Sequence, residues 1–221
     1  DLTGSNSTKE AISLTKHAEK VGADAALVVT PYYNKPTQEG LYQHFKAIAE
    51  HVHLPCMLYN VPSRTSLNMT DQTTLRLSHV DNIVGVKEAS SDLNQIARII
   101  DGAPLGFRVW SGNDDETFPI MAMGGYGVVS VLSHLVGFQI KQMMGLLLEG
   151  DVEKAGAEHR RLLPIFKIMF TVANPIPIKY SLNQAGFHVG IPRLPLVDPD
   201  EHVAASINQV VSNYNIDLPL N

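Results

Sequence analysis

Short apolar runs alternate with amphipathic stretches along the first two-thirds of the chain. The runs occupy 25–30, 55–59, 83–86, 107–110 and 128–131 and consist mainly of Val, Ile, Leu, Ala and aromatic residues. Runs of this length suit strands buried on both faces of a parallel sheet. Helix signals lie between them. Ser7-Thr8-Lys9-Glu10 reads as a capping box ahead of Ala11, Ile12, Leu14, Ala18 and Val21, with Gly22 as the stop. Leu41, Phe45, Ile48, Ala49 and Val52 form one stripe, a further helix is expected over 72–77, and Asp92 caps a helix bearing Leu93, Ile96, Ile99 and Ile100. A short helix is expected over 117–123. Strands spaced by roughly 18 to 29 residues with helices between them predict a parallel sheet with right-handed crossovers. From His134 onward the pattern is helical only: 134–148, a long helix opened by Asp151 and running to Phe170, a break at Asn174-Pro175-Ile176-Pro177, a helix through Lys179, Tyr180 and Leu182, and a last one with Val203, Ile207, Val210 and Val211. The expected organisation is a βα repeat over 1–150 and a helical domain over 151–221.

Composition narrows the function classes. The net charge of −5 is spread without a basic block, which points away from nucleic acid and from an anionic membrane surface. A single cysteine, Cys56, excludes an internal disulfide and fits a reducing, cytoplasmic compartment. No apolar run reaches membrane-spanning length, and the first residues lack the basic start and apolar core of a signal peptide. The chain opens without Met, as if in mid-element.

The chemistry gathers at the ends of the apolar runs, which is where ligands bind in parallel α/β sheets and barrels. In 82–89, Ile83-Val84-Gly85-Val86 runs straight into Lys87. A charge there is costly unless it is solvated, paired or neutralised. Lys87 is either a tethered surface lysine or a nucleophile kept partly neutral by desolvation. Tyr59 ends the preceding run one βα unit earlier, so neighbouring strands can bring the two together. With Lys87 inward, Gly85 and Ile83 point inward as well and Val84 and Val86 face the helices. With Tyr59 inward, Met57 follows it. Gly85 would leave room for a substrate or for the lysine stem. A phenol beside an amine suits imine chemistry, the amine attacking a carbonyl and the phenol relaying protons. Tyr59 read by itself is an ordinary core tyrosine. Arg64, on the loop above Tyr59, either grips a carboxylate through two bonds or only solvates the surface. Gly112 allows close approach to a ligand or is a turn glycine.

Other patterns carry less. His51 and His53 sit at a helix end without partnering Cys or carboxylates, so no metal is expected. Gly124-Gly125-Tyr126-Gly127 precedes a strand instead of following one, unlike a dinucleotide or phosphate loop. Asn113-Asp114-Asp115-Glu116 reads as helix-start capping and dipole pairing.

Thr30-Pro31-Tyr32-Tyr33-Asn34, Tyr59-Asn60-Val61-Pro62-Ser63-Arg64-Thr65, Val86-Lys87-Glu88-Ala89, Ser111-Gly112-Asn113-Asp114 and Gly127-Val128-Val129-Ser130-Val131 together resemble the dihydrodipicolinate synthase (4-hydroxy-tetrahydrodipicolinate synthase) family. Asn174-Pro175-Ile176-Pro177-Ile178-Lys179 and Arg193-Leu194-Pro195-Leu196 extend the likeness through the C-terminal helices, so that it covers essentially the whole chain. The resemblance implies a TIM (β/α)8 barrel with a C-terminal helical domain. It implies a Schiff-base lyase that condenses pyruvate with aspartate 4-semialdehyde on the route to diaminopimelate and lysine, without metal or organic cofactor. By the resemblance, Lys87 is the imine-forming lysine, Tyr59 the proton relay and Arg64 the carboxylate clamp at the mouth. Tyr33 reaches into a neighbouring subunit's site. Gly112 and Val129 line the pyruvate pocket, Val129 through its backbone carbonyl. Asn6, Glu10 and Tyr32 form part of a site for the feedback inhibitor L-lysine. A homotetramer or dimer is implied, in the cytoplasm or, in a plant, the plastid.

The family barrel has eight strands and the pattern here supplies five, so a partial barrel is expected, strands four to eight of the family. Two βα units and nearly all of a third strand are missing on the N-terminal side, with Asp1-Leu2 standing where that strand should finish. The threonine pair for the pyruvate carboxylate and the histidine side of the lysine site go with them. The chain is therefore expected either to be a fragment or to have the gap supplied by another chain or segment, and to be inactive by itself. A second enzyme reading is another pyruvate-dependent aldolase such as N-acetylneuraminate lyase, which shares the lysine and tyrosine but lacks the Ser63-Arg64-Thr65 loop. A reading from a different class is a non-catalytic truncated paralogue acting as a binding or assembly protein.

Overall fold

The computed structural model describes residues 2–217, so Asp1 and the last four positions of the expected helical domain lie outside it. It divides into two compact units, 1–129 and 130–221. The sequence pattern put the boundary near Gly150. A run of helix signals cannot say which neighbour each helix packs on, and the helix before Gly150 packs on the one after it.

The first unit is built on β1 (Ala26–Val29), β2 (Cys56–Asn60), β3 (Ile83–Glu88), β4 (Arg108–Ser111) and β5 (Gly127–Val128), side by side in sequence order with every pair parallel. The crossovers carry α1 (Thr8–Lys20), α2 (Gln38–Ala49), the single turn α3 (Pro62–Thr65), α4 (Asp71–Leu77), α5 (Leu93–Gly102) and α6 (Thr117–Ala122). Successive right-handed crossovers without a reversal of strand order place every helix on one face of the sheet. The core lies there: Val28, Leu58, Val86 and Val109 from the strands meet Ala11, Leu41, Phe45, Ile48, Leu77, Ile96, Ile99 and Ile120 from the helices. Leu2 pairs in parallel with Leu27 just beyond β1, and the Thr3 amide donates to the Leu27 carbonyl at 3.0 Å.

Local chemistry sets the helix starts. The side chains of Ser7, Thr37, Thr70 and Asp92 accept from the amides of Glu10, Gly40, Thr73 and Gln95, respectively. The capping box differs from its simple form. The Ser7 amide donates to Ser5 Oγ, and Ser5 Oγ in turn donates to the Glu10 carboxylate. Cys56 is free and buried on the core side of β2, where burial pushes its thiol up to about 11.

Three strand details depart from the sequence pattern. β3 runs on through Lys87 and Glu88 and does not stop at Val86. β5 covers only Gly127 and Val128, and the chain then leaves the sheet, with Val129 giving one further bond to Ser111 O at 2.9 Å. The β2–β3 pair also carries a bulge: Cys56 faces Ile83, but Met57 faces Gly85, so one extra residue stands in β3. The bulge turns Ile83 into the helix-side core at 4% exposure, against the inward direction that simple alternation predicts.

The second unit contains α7 (Ser133–Leu148), α8 (Val152–Ile168), α9 (Ile176–Gln184) and α10 (Glu201–Val211). α7 packs on α8, and α10 on α8 and α9, around Leu135, Ile140, Met143, Leu162, Ile165, Phe166, Leu182 and Ile207. The expected continuous helix over 134–148 is interrupted at Val136 (φ −130°, ψ 36°). The segment beyond the break is capped from far along the chain: the Asp217 carboxylate accepts from the amides of Phe138 at 2.7 Å and Gln139 at 3.4 Å. No helix among the described residues is long and apolar enough to cross a membrane.

Gly85 has a steric task. A Cβ there would stand 2.3 Å from the Arg108 carbonyl oxygen and 2.5 Å from the Trp110 ring. The space over Gly85, which the pattern alone left open for a substrate or the lysine stem, is taken by Trp110. Gly85→Ala is expected to lower unfolding stability by about 2–3 kcal/mol. Gly145→Ala, in a helical stretch with nothing within 4 Å of the new Cβ, is expected to raise it by about 0.5–1 kcal/mol. Urea unfolding of the two variants checks both signs.

Candidate active site

Parallel register sets the geometry of the site. Val29, Tyr59, Lys87 and Trp110 face one another across β1 to β4 at the carboxyl-terminal end of the sheet. Side chains alternate along a strand, so Tyr59, Lys87 and Trp110 share the face away from the helices. Lys87 Nζ lies 4.1 Å from the centroid of the Tyr59 ring. The pair predicted from spacing is thus brought together, with the amine over the face of the ring. Trp110 packs edge-on against Tyr126 at 5.1 Å between centroids, and the Arg108 guanidinium lies 5.2 Å from the same Tyr126 ring.

Burial and nearby charge shift the Lys87 amine toward its neutral form. Lys87 is 9% exposed. Burial lowers its pKa from the ordinary 10.5, the Asp114 carboxylate pulls it back up, and the Arg64 guanidinium pushes it down again. Burial raises the Tyr59 phenol, and Arg64 opposes that rise. Both groups are therefore biased toward their uncharged forms, a nucleophilic amine and a phenol still holding its proton.

A second set of residues stands one step along each strand, on the helix side: Asn60, Glu88 and Ser111, all fully buried. Each organises the loop above its strand. Asn60 Oδ1 accepts from the Met69 amide at 3.0 Å, Glu88 Oε1 from the Ser90 amide at 3.0 Å, and Ser111 Oγ donates to the Asn113 carbonyl at 2.7 Å. The loop that carries Arg64 is thereby tied to the strand that carries Tyr59, and the loop that carries Asp114 to the strand that carries Trp110.

The remaining predicted residues take varied positions. Arg64 is exposed on α3, above β2, and its charge acts on both Tyr59 and Lys87. Gly112 follows β4, donates to the Glu88 carbonyl at 2.7 Å, and has no room for a Cβ, which would meet the Ala89 Cβ at 2.7 Å. The close approach it allows is to the neighbouring strand end. Val129 is half-buried beside Ser111. Tyr33 is 88% exposed and holds a left-handed backbone (φ 75°), rare for a residue with a Cβ. Asn34 Nδ2 donates to the Asn6 carbonyl at 2.9 Å, so the start of α1, with Asn6 and Glu10, is joined to the loop of Tyr32 and Tyr33. His51 bonds the Ala47 carbonyl, and among the described residues no three His, Cys, Asp or Glu side chains gather as metal ligands.

Asp114 is a charged neighbour of Lys87 whose part sequence reasoning passed over. Its run of acidic residues looks like a helix start, and the residues do form a short 3-10 turn. Asp114 is nonetheless 2% exposed, and its charge reaches Lys87. The available signal was its place directly after a strand end, where an acidic run need not be solvated.

Consecutive parallel strands, one helix-covered face and a lysine and tyrosine at the carboxyl-terminal strand ends define a protein of the (β/α)-barrel class. The sequence matches the Dihydrodipicolinate synthetase family over residues 2–214. A 4-hydroxy-tetrahydrodipicolinate synthase of Dehalococcoides mccartyi is 57% identical over 218 residues, covering 99% of this chain and 73% of the relative. The dihydrodipicolinate synthase of Cyanidioschyzon merolae, solved with lysine bound, superposes with a TM-score of 0.93 at 45% identity, covering 95% of this chain and 72% of that one. The chloride-inhibited enzyme of Acinetobacter baumannii, complexed with pyruvate, gives a TM-score of 0.92 at 41% identity, covering 96% and 72%. The chain belongs to the dihydrodipicolinate synthetase family, whose members are lyases of diaminopimelate and lysine biosynthesis. Its five-stranded parallel sheet is part of the TIM-barrel architecture of those relatives.

The charges around Lys87 carry a testable consequence. Acylation of Lys87, followed by mass spectrometry across pH, is expected to reach half its maximum below pH 10.5. Asp114→Asn removes the charge that raises the amine's pKa and moves the profile to lower pH. Arg64→Gln removes a charge that lowers it and moves the profile to higher pH.

Proposed function

We propose that Lys87 forms an imine with pyruvate and that the resulting enamine condenses with aspartate 4-semialdehyde, the reaction after which the chain's relatives are named. The observation that carries this reading is the contact of Lys87 Nζ with the Tyr59 ring in a chain of this family. The neutral amine adds to the C2 carbonyl of pyruvate, and Tyr59 donates the proton that lets water leave the carbinolamine. The iminium acidifies the methyl group, and loss of a proton there leaves a nucleophilic enamine. Its attack on the aldehyde carbon forms the new C–C bond, with a proton returned to the aldehyde oxygen. The amino group of the semialdehyde then closes the ring at the imine carbon and releases Lys87.

Arg64 holds the semialdehyde carboxylate at the mouth of the site, and Gly112 and the Val129 carbonyl line the pyruvate side. Exposure of Tyr33 on a constrained loop supports its contribution to a partner copy in a homo-oligomer. Asn6, Glu10 and Tyr32 supply part of a site for L-lysine, in keeping with the lysine-bound relative.

Borohydride reduction in the presence of pyruvate is expected to fix a pyruvate-derived adduct on Lys87, and Lys87→Arg to abolish it. An unmodified Lys87 in the wild-type protein would sink the imine reading and favour a non-catalytic binding role. Arg64→Ala is expected to raise the KM for the semialdehyde about ten- to hundredfold while Lys87 still forms the pyruvate adduct, with its pH profile moved upward. Faster condensation with sugar aldehydes than with aspartate 4-semialdehyde would instead assign the chain a sugar-aldolase specificity.

A further inference from the structure

Glu88 is a buried carboxylate that imine chemistry leaves unused. It follows Lys87 directly, yet strand alternation sends its side chain to the opposite, helix-covered face, where it is 0% exposed. It accepts hydrogen bonds from neutral donors. Asn60 Nδ2 and the Ser90 amide reach Oε1 at 3.0 Å each, and Gln95 Nε2 reaches Oε2 at 3.2 Å. The donors are themselves fixed. Asn60 Oδ1 accepts from the Met69 amide, while Gln95 Oε1 accepts from Asn68 Nδ2 at 2.8 Å, so neither amide can turn its oxygen toward the carboxylate. Asn60 Nδ2 and Gln95 Nε2 also reach the Met69 carbonyl, each at 3.2 Å. One lattice therefore joins the end of β2, the end of β3, the 68–69 loop and the first turn of α5.

A buried carboxylate without a cation is an expensive way to join four segments. Burial pushes this one up to about 7, and bonds from the Ser90 side chain, Gln95, Asn60 and the Ser90 amide only moderate the rise. The location gives a reason for it. The bulge near the start of the β2–β3 pair means that pairing at the bottom of the strands does not dictate pairing at the top. The top is where Tyr59 must face Lys87. The Asn60–Glu88 contact joins the next register pair, so the side-chain bond and the backbone register specify the same alignment.

We propose that Glu88 is a positioning residue for the Lys87–Tyr59 pair, its three-donor lattice with Asn60, Ser90 and Gln95 pinning the ends of β2 and β3 so that the amine sits over the Tyr59 ring. This rests on the reading of Lys87 as the imine-forming group. Glu88→Gln keeps the shape but puts an N–H group where only acceptors fit, and so breaks at least one of these bonds. Gln95→Met removes only the arm from α5.

The test is the rate of borohydride-trapped imine formation with pyruvate in the complete natural protein, per mole folded. Glu88→Gln is expected to slow the maximal rate about tenfold or more through loss of alignment, with the half-saturating pyruvate concentration within twofold of wild type. Glu88→Asp, which keeps an acceptor-only group, is expected to recover part of the rate, and Gln95→Met to fall between Glu88→Gln and wild type. A folded Glu88→Gln protein that traps pyruvate at the wild-type rate overturns the proposal and leaves the imine reading intact. Should Glu88→Gln fail to fold, a wild-type rate in Gln95→Met overturns it equally. A wild-type protein that forms no adduct removes both.

Discussion

Tyr59 and Lys87 meet because two parallel strands are held in one register, and the rest of the first unit serves that alignment. Parallel pairing brings residues one βα unit apart face to face. Alternation then divides the strand ends into two sets. Tyr59, Lys87 and Trp110 look away from the helices, while Asn60, Glu88 and Ser111 look into them. The first set presents an amine, a phenol and an indole to the site. The second binds the strand ends and the loops above them. The same pleat that exposes the chemistry buries the polar groups that support it.

Desolvation gives this alignment its chemical effect. An amine at the end of a strand and 9% exposed is biased toward its neutral form, and the field of its neighbours adjusts that bias in both directions. Arg64 adds to the lowering and Asp114 opposes it, so the amine is tuned by residues of two different loops. Both loops are tethered by buried side chains: Asn60 to Met69 beyond α3, and Ser111 to Asn113 before Asp114. Positioning and electrostatics thus depend on one belt of hydrogen bonds at the carboxyl-terminal edge of the sheet.

Much of this was legible from residue order. The five apolar runs became the five strands, and Ser7, Asp92 and Asp151 cap the helices they were expected to open. The Lys87–Tyr59 pairing followed from run ends one unit apart. The misses share a cause. Ile83 changes faces because of a bulge that hydrophobic periodicity cannot register. Gly85 looked like space for a substrate but is occupied by Trp110 of the adjacent strand. Asp114 was read only as part of a helix start, which it is, but it is also buried with its charge acting on the amine. In each case the deciding neighbour comes from a different strand or loop.

Local patterns depend on interactions within one turn or one strand: a cap with the amide three residues on, an apolar run with its own two faces, and a motif with its own loop. The order of residues was sufficient to specify the element types, the parallel βα class, the family and the lysine most suited to nucleophilic chemistry. Folding in three dimensions decided everything that needs a partner from elsewhere in the chain. It set the register above the bulge, the lattice around Glu88, the burial that shifts Lys87 and Tyr59, and the reach of Arg64 and Asp114 to the amine. Distances between segments remote in sequence fix hydrogen-bond geometry and desolvation, and those distances exist only once the strands have paired.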